Sequence, residues 1–408
     1  MTFKEALDII VRQRGHGNKK SNLSEVKKTA AVLGLKKLPF KIILVAGTNG
    51  KGTTSTLLSL CLSEAGFKTG LFTSPHLFCI TERIKIDGSD ISKKDFGIYV
   101  GKVLAAETVP LKFFEVLTLA AILYFKDKGA DFAVVEVGIG GRLDCTNIFP
   151  RVLNMITSVD MDHCDILGNT LKDISWQKGG IIKNGVPCIC GKLKKDPAEV
   201  ISKIAKEEKS DLEFLDGNYR FDGCHFKSMT SSFSLYGEKF KVKLLGEAQA
   251  QNAALACMAA KKLGIETKFC KRALMKVQIP CRFEVIPFGR RYIIKDGAHN
   301  PAAFCRFIET YSVSPYCDPE NTLVYAAMKD KDYKTVISLL SPYFKRVVLT
   351  CADPARGVAP AELKRYFPSS ACVKIEENPG RINLKSLKGN IIIAGSFYLC
   401  AKMAVFPS

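Results

Sequence analysis

Apolar runs of four to seven residues alternate along this chain with stretches whose apolar positions recur every three or four residues. The first pattern predicts strands and the second amphipathic helices. Strands are expected over 42–46, 69–73, 132–137, 152–158 and 186–190, and helices over 53–65, 92–107, 113–128 and 171–183. The strands are apolar throughout rather than alternating, so both faces are buried, as in a parallel sheet covered by helices on each side. Between 212 and 245 the pattern changes to short alternating runs broken by Gly and Asp, which predict antiparallel hairpins, and a helix over 248–263 follows. Pro280 and the polar turn Gly289-Arg290-Arg291 precede a second series, with strands over 292–295, 322–326, 346–350, 373–376 and 390–394 and helices between them. The expected architecture is α/β in two domains, 1–284 and 285–408, with the hinge at 280–291.

Composition narrows the class. With 408 residues, 47% hydrophobic and 25% charged, the chain has the make-up of a globular protein of two or three domains, and it shows no internal repeat. The first 17 residues space their apolar positions as a helix does and lack the continuous apolar core of a signal peptide. The most apolar helix, over 113–125, carries Glu115 and is too short to span a bilayer, so a cytoplasmic location is expected. Fifteen cysteines without a Cys-x-x-Cys pair read as reduced core thiols, with Cys188 and Cys190 on the same side of one strand. The net charge of +20 suits either a basic surface or a cleft for polyanionic small molecules. The lysines are spread in twos and threes, with no RNA-binding aromatic motif and no helix-turn-helix pattern, so neither nucleic acid nor membrane is an expected partner.

The candidate chemistry begins at ILVAGTNGKGTTSTLLSLCL, residues 43–62, a buried strand, a glycine-rich turn and a helix. It departs from the Walker loop in having Val45 at the first glycine position and Gly52 after Lys51. Backbone N–H groups and the positive end of the helix converge there, which favours an anion. Lys51 adds a full charge, and Thr53 or Thr54 offers a hydroxyl to a phosphate or a magnesium ion. Ser74 and His76, in TSPHL, follow the second strand. Glu136 interrupts a buried strand, where a carboxylate needs a partner or a metal, and is followed by Gly138, Gly140, Gly141, Arg142 and Asp144. Asp160, Asp162, His163 and Asp165 end the next strand. A glycine-rich loop, a buried glutamate and a histidine at three strand ends of one sheet are suited to Mg-ATP chemistry.

On these residues the chain resembles the folylpolyglutamate synthase and dihydrofolate synthase family of the Mur ligase superfamily, over essentially its whole length. The family's GTNGKG[ST] loop is matched at Gly47 to Thr53, TSPHL and ERI at Thr73 to Leu77 and Glu82 to Ile84, and FE-x-LT at Phe114 to Thr118. EVG-x-GGRLD-x-TN is matched at Glu136 to Asn147, DH-x-x-x-LG at Asp162 to Gly168, DGAHNP at Asp296 to Pro301 and GS-x-YL at Gly395 to Leu399. The resemblance implies a P-loop-type, mainly parallel sheet with a small antiparallel β portion in the N-terminal domain and a Rossmann-like α/β C-terminal glutamate ligase domain. It implies ATP- and Mg2+-dependent addition of L-glutamate to dihydropteroate, to reduced folates or to both, through an acyl phosphate.

Carried over residue by residue, the resemblance makes Asn49, Gly50, Lys51, Gly52, Thr53, Asn252, Arg282 and Asp296 the ATP contacts and Ser74, Glu136 and His163 the magnesium ligands. Lys178, in WQKGGIIK, matches a lysine carbamylated in the family to N6-carboxylysine, and Lys51, Lys178 and His163 are the expected catalytic set. Phe114, Glu115, Arg142 and Asp144 are expected on the pterin side, with Glu115 equally explained as a paired carboxylate, and His299, Ser396 and Tyr398 on the glutamate side. Gln177 and Gly179 depart from the family pattern, which uses an acidic residue and alanine there. A monomer is implied.

Three other readings are open to the sequence. A cell-wall Mur-type ligase would carry a third domain before the loop, where this sequence has about 40 residues. A nucleic-acid-stimulated ATPase or a GTPase switch would need a basic recognition module or an Asn-Lys-x-Asp run, neither of which is found. A non-catalytic folate-binding protein would not need Lys51 together with Glu136 and His163.

Overall fold

The central strand of the first sheet, Lys41–Ala46 (β1), is buried at every residue but the first, as its unbroken Ile-Ile-Leu-Val-Ala run requires. The computed structural model describes residues 1–13 and 23–403. The sheet also contains Thr69–Phe72 (β2), Ile84–Ile86 (β3), Ser89–Asp90 (β4), Phe132–Glu136 (β5), Leu153–Ile156 (β6), Cys188–Cys190 (β7) and Leu212–Phe214 (β8), in the order β4-β3-β2-β5-β1-β6-β7-β8. From β2 to β8 the neighbours run parallel, while β3 and β4 are antiparallel at one edge. Parallel register sets the strand ends level: Val45 pairs with Glu136 and with Met155, so the turns after β1, β5 and β6 emerge together. That places the glycine-rich loop, the buried glutamate and the acidic turn at one edge.

Helices Lys51–Glu64, Lys93–Ala106, Phe113–Asp127 and Leu171–Gly179 fall within one or two residues of their expected starts. The last ends at Gly179, four residues before the expected end at 183, and its carboxyl end reaches Gly180 and then a turn. Helix Phe113–Asp127 buries twelve of its fifteen residues, so it packs on all sides in the core. Its Phe125 ring lies against β2, where a Cβ on Gly70 would come within 2.7 Å of the ring. At the amino terminus, helix Phe3–Leu7, capped by Thr2, runs into a π-helical turn over Asp8–Gln13; residues 14–22 lie outside the described residues.

The chain divides into two compact units, Met1–Arg220 with Ser234–Phe240 and Gln251–Val277, and Phe221–Phe233 with Lys241–Ala250 and Gln278–Ser408. Strands Tyr219–His225 (β9), Thr230–Leu235 (β10) and Glu238–Val242 (β11) form a separate sheet in the order β11-β10-β9, and their short connections make it antiparallel. Expected among these hairpins, β8 instead continues the parallel sheet beside β7, because three residues are too few to show an alternation. The second unit's sheet comprises Glu284–Phe288 (β12), Arg291–Asp296 (β13), Thr322–Tyr325 (β14), Arg346–Leu349 (β15), Cys372–Ile375 (β16) and Ile391–Ala394 (β17). Its order is β12-β13-β17-β14-β15-β16, parallel except for β12 against β13. Within the expected hinge, 284–288 is an edge strand, and Gly289, with φ +62°, begins the two-residue turn of the β12–β13 hairpin.

All fifteen cysteines are free, and the Cys188 and Cys190 sulfurs lie 3.8 Å apart on one buried side of β7. No helix among the described residues is long and apolar enough to cross a membrane.

Candidate active site

The loop after β1 closes around its own carbonyls. Lys51 Nζ donates to Gly47 O at 3.0 Å and to Thr48 O at 3.1 Å, and Lys178 Nζ donates to the same Gly47 O at 2.8 Å. Gly47 has φ +150°, and a Cβ there would fall 1.9 Å from Thr157 Oγ1. Gly50, in the left-handed region at φ +84°, starts helix Lys51–Glu64, and its Cβ position would lie 2.3 Å from Asn252 Oδ1. A side chain at either position would be strained by the positive φ and crowded by these contacts, which explains the glycines. Asn252 also accepts a 3.4 Å hydrogen bond from Thr54 Oγ1, which ties helix Glu247–Lys262 to the loop.

Lys178 is 3% exposed. Burial first and the neighbouring Lys51 second lower its pKa to about 7, with Asp162 and Asp160 opposing. A lysine amine held near neutrality can react with carbon dioxide, because the attacking form is the free amine. Gly47, Thr48, Lys51, Val137–Gly140, Asp162, His163, Leu167 and Lys178 line one pocket. His163 has a left-handed backbone, φ +51°, and caps the short helix Cys164–Leu167; its N–H donates to Asp162 Oδ1 at 2.9 Å. A non-glycine residue held in that region is costly, and such strain gathers at functional turns.

Glu136 is 2% exposed and accepts a 2.8 Å hydrogen bond from the Ser74 backbone N–H. A Cβ on Gly52 would lie 3.4 Å from Glu136 Oε2, so the carboxylate faces the first turn of the phosphate-loop helix. In that turn the buried Thr53 Oγ1 has no hydrogen-bond partner among the described residues. A buried carboxylate facing this helix turn and an orphaned hydroxyl within the turn are oxygen donors of the kind a hard divalent cation takes, so these residues fit magnesium. Among the described residues no group of three His, Cys, Asp or Glu side chains forms a metal cage. Hard cations of this size do not need one, since they retain waters and phosphate oxygens.

The expected pterin-side residues are engaged with their own surroundings. Asp144 accepts from the Gly138, Ile139 and Thr146 N–H groups and from Thr146 Oγ1, at 2.6–3.2 Å, and so pins the glycine loop 138–141; burial raises its pKa. Glu115 accepts from Lys112 N–H at 2.8 Å and caps its helix. Arg142 stacks 3.7 Å from the ring centre of Trp176 and donates to its carbonyl. Phe114 leaves no room for a side chain at Gly138 and packs 5.5 Å from the Phe72 ring centre.

In the second unit, Asp296 accepts from Phe283 and Ala298 N–H, both at 2.8 Å; burial raises its pKa and Arg282 opposes the rise. Arg282 and His299 both lie against the Phe397 ring. Ser396, 2% exposed, caps helix Phe397–Lys402, and Arg356 lies over Tyr398. All five expected residues of this unit thus gather where β13 and β17 end. Sequence reasoning assigned nothing to Thr48, Thr157, Ser158 or Trp176. Thr157 and Ser158 fell inside the strand expected over 152–158, whereas the strand ends at Ile156 and leaves both hydroxyls in the turn that follows.

The chain is similar to known proteins over nearly its whole length. Residues 45–260 match the profile of the Mur ligase middle domain, and residues 281–390 that of the Mur ligase glutamate ligase domain. The dihydrofolate synthase/folylpolyglutamate synthase of Bacillus subtilis (strain 168) is 31% identical over 406 residues, covering 93% of each chain. Among solved structures, E. coli FolC in complex with DHPP and ADP superposes with a TM-score of 0.87 at 26% identity, covering 98% of this chain and 96% of that one. The Yersinia pestis bifunctional folylpolyglutamate synthase/dihydrofolate synthase with AMPPNP and Mn ion superposes with a TM-score of 0.86 at 28% identity, covering 98% and 97%. With both Mur ligase profiles in chain order and that identity sustained over nearly the full length, this chain belongs to the dihydrofolate synthase/folylpolyglutamate synthase family of ATP-dependent, amide-forming Mur ligases.

Proposed function

We propose that this protein joins L-glutamate to dihydropteroate, to reduced folates, or to both, at the expense of ATP. The observation that carries the reading is the convergence of Lys51 and Lys178 on Gly47 O, in a pocket that also holds His163. The acid's carboxylate oxygen attacks the γ-phosphorus, the bond to the β-phosphate oxygen breaks and ADP leaves. The glutamate amine then attacks the acyl phosphate carbon, and phosphate leaves as the amide forms. Two anions must meet in the first step, so positive charge has to precede them. Lys51 leaves its loop carbonyls for the phosphate, and the N–H groups at the start of helix Lys51–Glu64 hold the oxygens. Asn49, Gly50, Gly52, Thr53 and Asn252 shape that cradle, and Arg282 and Asp296 complete the ATP contacts. Ser74, Glu136 and His163 hold the magnesium ion, which supplies charge neutralisation and polarisation of the phosphate when bound. Lys178 acts as a carbamate: without carbon dioxide it is a second cation repelling Lys51, and with it an anion. Phe114, Glu115, Arg142 and Asp144 form the pterin side, and His299, Ser396 and Tyr398 the glutamate side. The domain boundary near 284, a monomeric state, a cytoplasmic location and the lack of nucleic-acid or membrane partners belong to the same proposal.

The test is incubation with Mg-ATP and labelled glutamate, with dihydropteroate in one reaction and tetrahydrofolate in another, and products identified by mass. Product with the first acceptor alone makes the enzyme a dihydrofolate synthase, with the second alone a polyglutamylating enzyme, and with both a bifunctional one. No product with either removes the proposal. Lys51→Ala is expected to abolish turnover with either acceptor.

A further inference from the structure

A hydroxyl both donates and accepts a hydrogen bond through a single atom, which few side chains can do. The turn after β1 and the turn after β6 each use one in this way on the other's backbone. Thr48 Oγ1 accepts from Asp160 N–H at 3.0 Å and donates to Asp160 O at 3.1 Å. Ser158 Oγ accepts from Asn49 N–H at 2.9 Å and donates to Asn49 O at 3.2 Å. Between these two reciprocal pairs, Thr48 N–H donates to Ser158 O at 2.9 Å. Thr157 Oγ1 adds a 2.6 Å bond to Asn49 O from the space that glycine leaves open at position 47.

We propose that Thr48 and Ser158 are positioning residues that join the phosphate loop and the turn carrying Asp162 and His163 into one rigid piece. Two consequences follow from the bonds. The Thr48 and Asn49 N–H groups are committed to Ser158, so an anion in this loop meets the N–H groups from Gly50 onward, at the helix start. A shift of the loop also carries the Asp160–His163 turn with it, so nucleotide phosphates and the metal-holding side chains stay in register. The inference rests on the proposed ATP- and magnesium-dependent reading, and its readout is nucleotide binding rather than ligation.

The experiment measures ADP affinity of the full chain by titration calorimetry, with and without Mg2+, for wild type, Thr48→Val and Ser158→Ala, with Thr48→Ser and Ser158→Thr as hydroxyl-retaining controls. Either hydroxyl-free variant alone suffices if the other fails to fold. The expected result is ADP affinity weakened roughly tenfold, as small misplacements at such sites cost, with a smaller gain on adding Mg2+ and recovery in the controls. Hydroxyl-free variants that melt earlier yet keep wild-type ADP affinity and its Mg2+ dependence would overturn the proposal and leave these bonds a purely structural brace. Wild type that binds ADP but forms no amide product defeats the ligase reading while the variants still test the brace. Wild type that binds no ADP overturns both.

Discussion

Two lysine amines donating to one carbonyl bring like charges together, and the charged form of the more buried one is disfavoured. Lys51 and Lys178 share Gly47 O, and the cost shows in Lys178, whose pKa falls to about 7 through burial and the repulsion of Lys51. The folded state therefore holds fewer protons than the unfolded state between about pH 7 and the ordinary lysine value of 10.5. Stability of the carbon-dioxide-free protein should rise with pH across that window and bear the full penalty below it. Lys178→Met is expected to flatten this rise, as measured by denaturant unfolding at pH 7, 8.5 and 10 in degassed buffer. Catalytically, Lys178→Ala should lose activity and recover part of it with added short carboxylates; an unaffected variant would exclude the carbamate. Asp144 makes a different residue-scale case. Its carboxylate gathers three N–H groups and a hydroxyl, and Asp144→Ala should destabilise the protein by about 1–3 kcal/mol through those orphaned donors.

At the scale of elements, the site is a consequence of strand ends kept level by parallel pairing, and the helices that cover the sheet enforce it. Gly70 on β2 faces the Phe125 ring, with no space for a methyl group between them. Gly70→Ala should cost about 1–3 kcal/mol by overpacking, read as a lower denaturant midpoint at unchanged slope. The elements that sequence periodicity identified are those long enough to display a period: β1, β5 and the helices Lys51–Glu64 and Phe113–Asp127 begin within two residues of expectation. Short pieces escaped. The β3–β4 hairpin turns at Asp87-Gly88, two residues with positive φ, between strands of three and two residues. Strand β12 was hidden inside the expected hinge because Pro287 and the flanking charges mask a five-residue edge strand, where one edge needs no hydrogen-bond partner.

For the whole molecule, a net charge of +20 meets substrates that carry several carboxylates and phosphates. If that field draws them in, the KM for ATP and for the polyanionic acceptor should rise as ionic strength goes from about 0.05 to 0.5 M, with kcat changing less, because the attraction is screened over the Debye length. The α/β class, the two-part organisation and the phosphate loop could be read from local periodicity and contiguous motifs alone. The sequence also pointed to Glu136 and Lys178, the first by a charge in an apolar strand and the second only through the family resemblance. Only the folded chain shows which groups meet: Lys178 with Gly47 O, Asn252 with Gly50, Ser158 with Asn49, and Asp144 with its own loop. Those partners lie as far as 202 positions apart in the chain. Hydrogen bonds of about 3 Å between such residues are fixed by sheet register and by the room that glycines leave, and neither quantity is present in any local stretch of sequence.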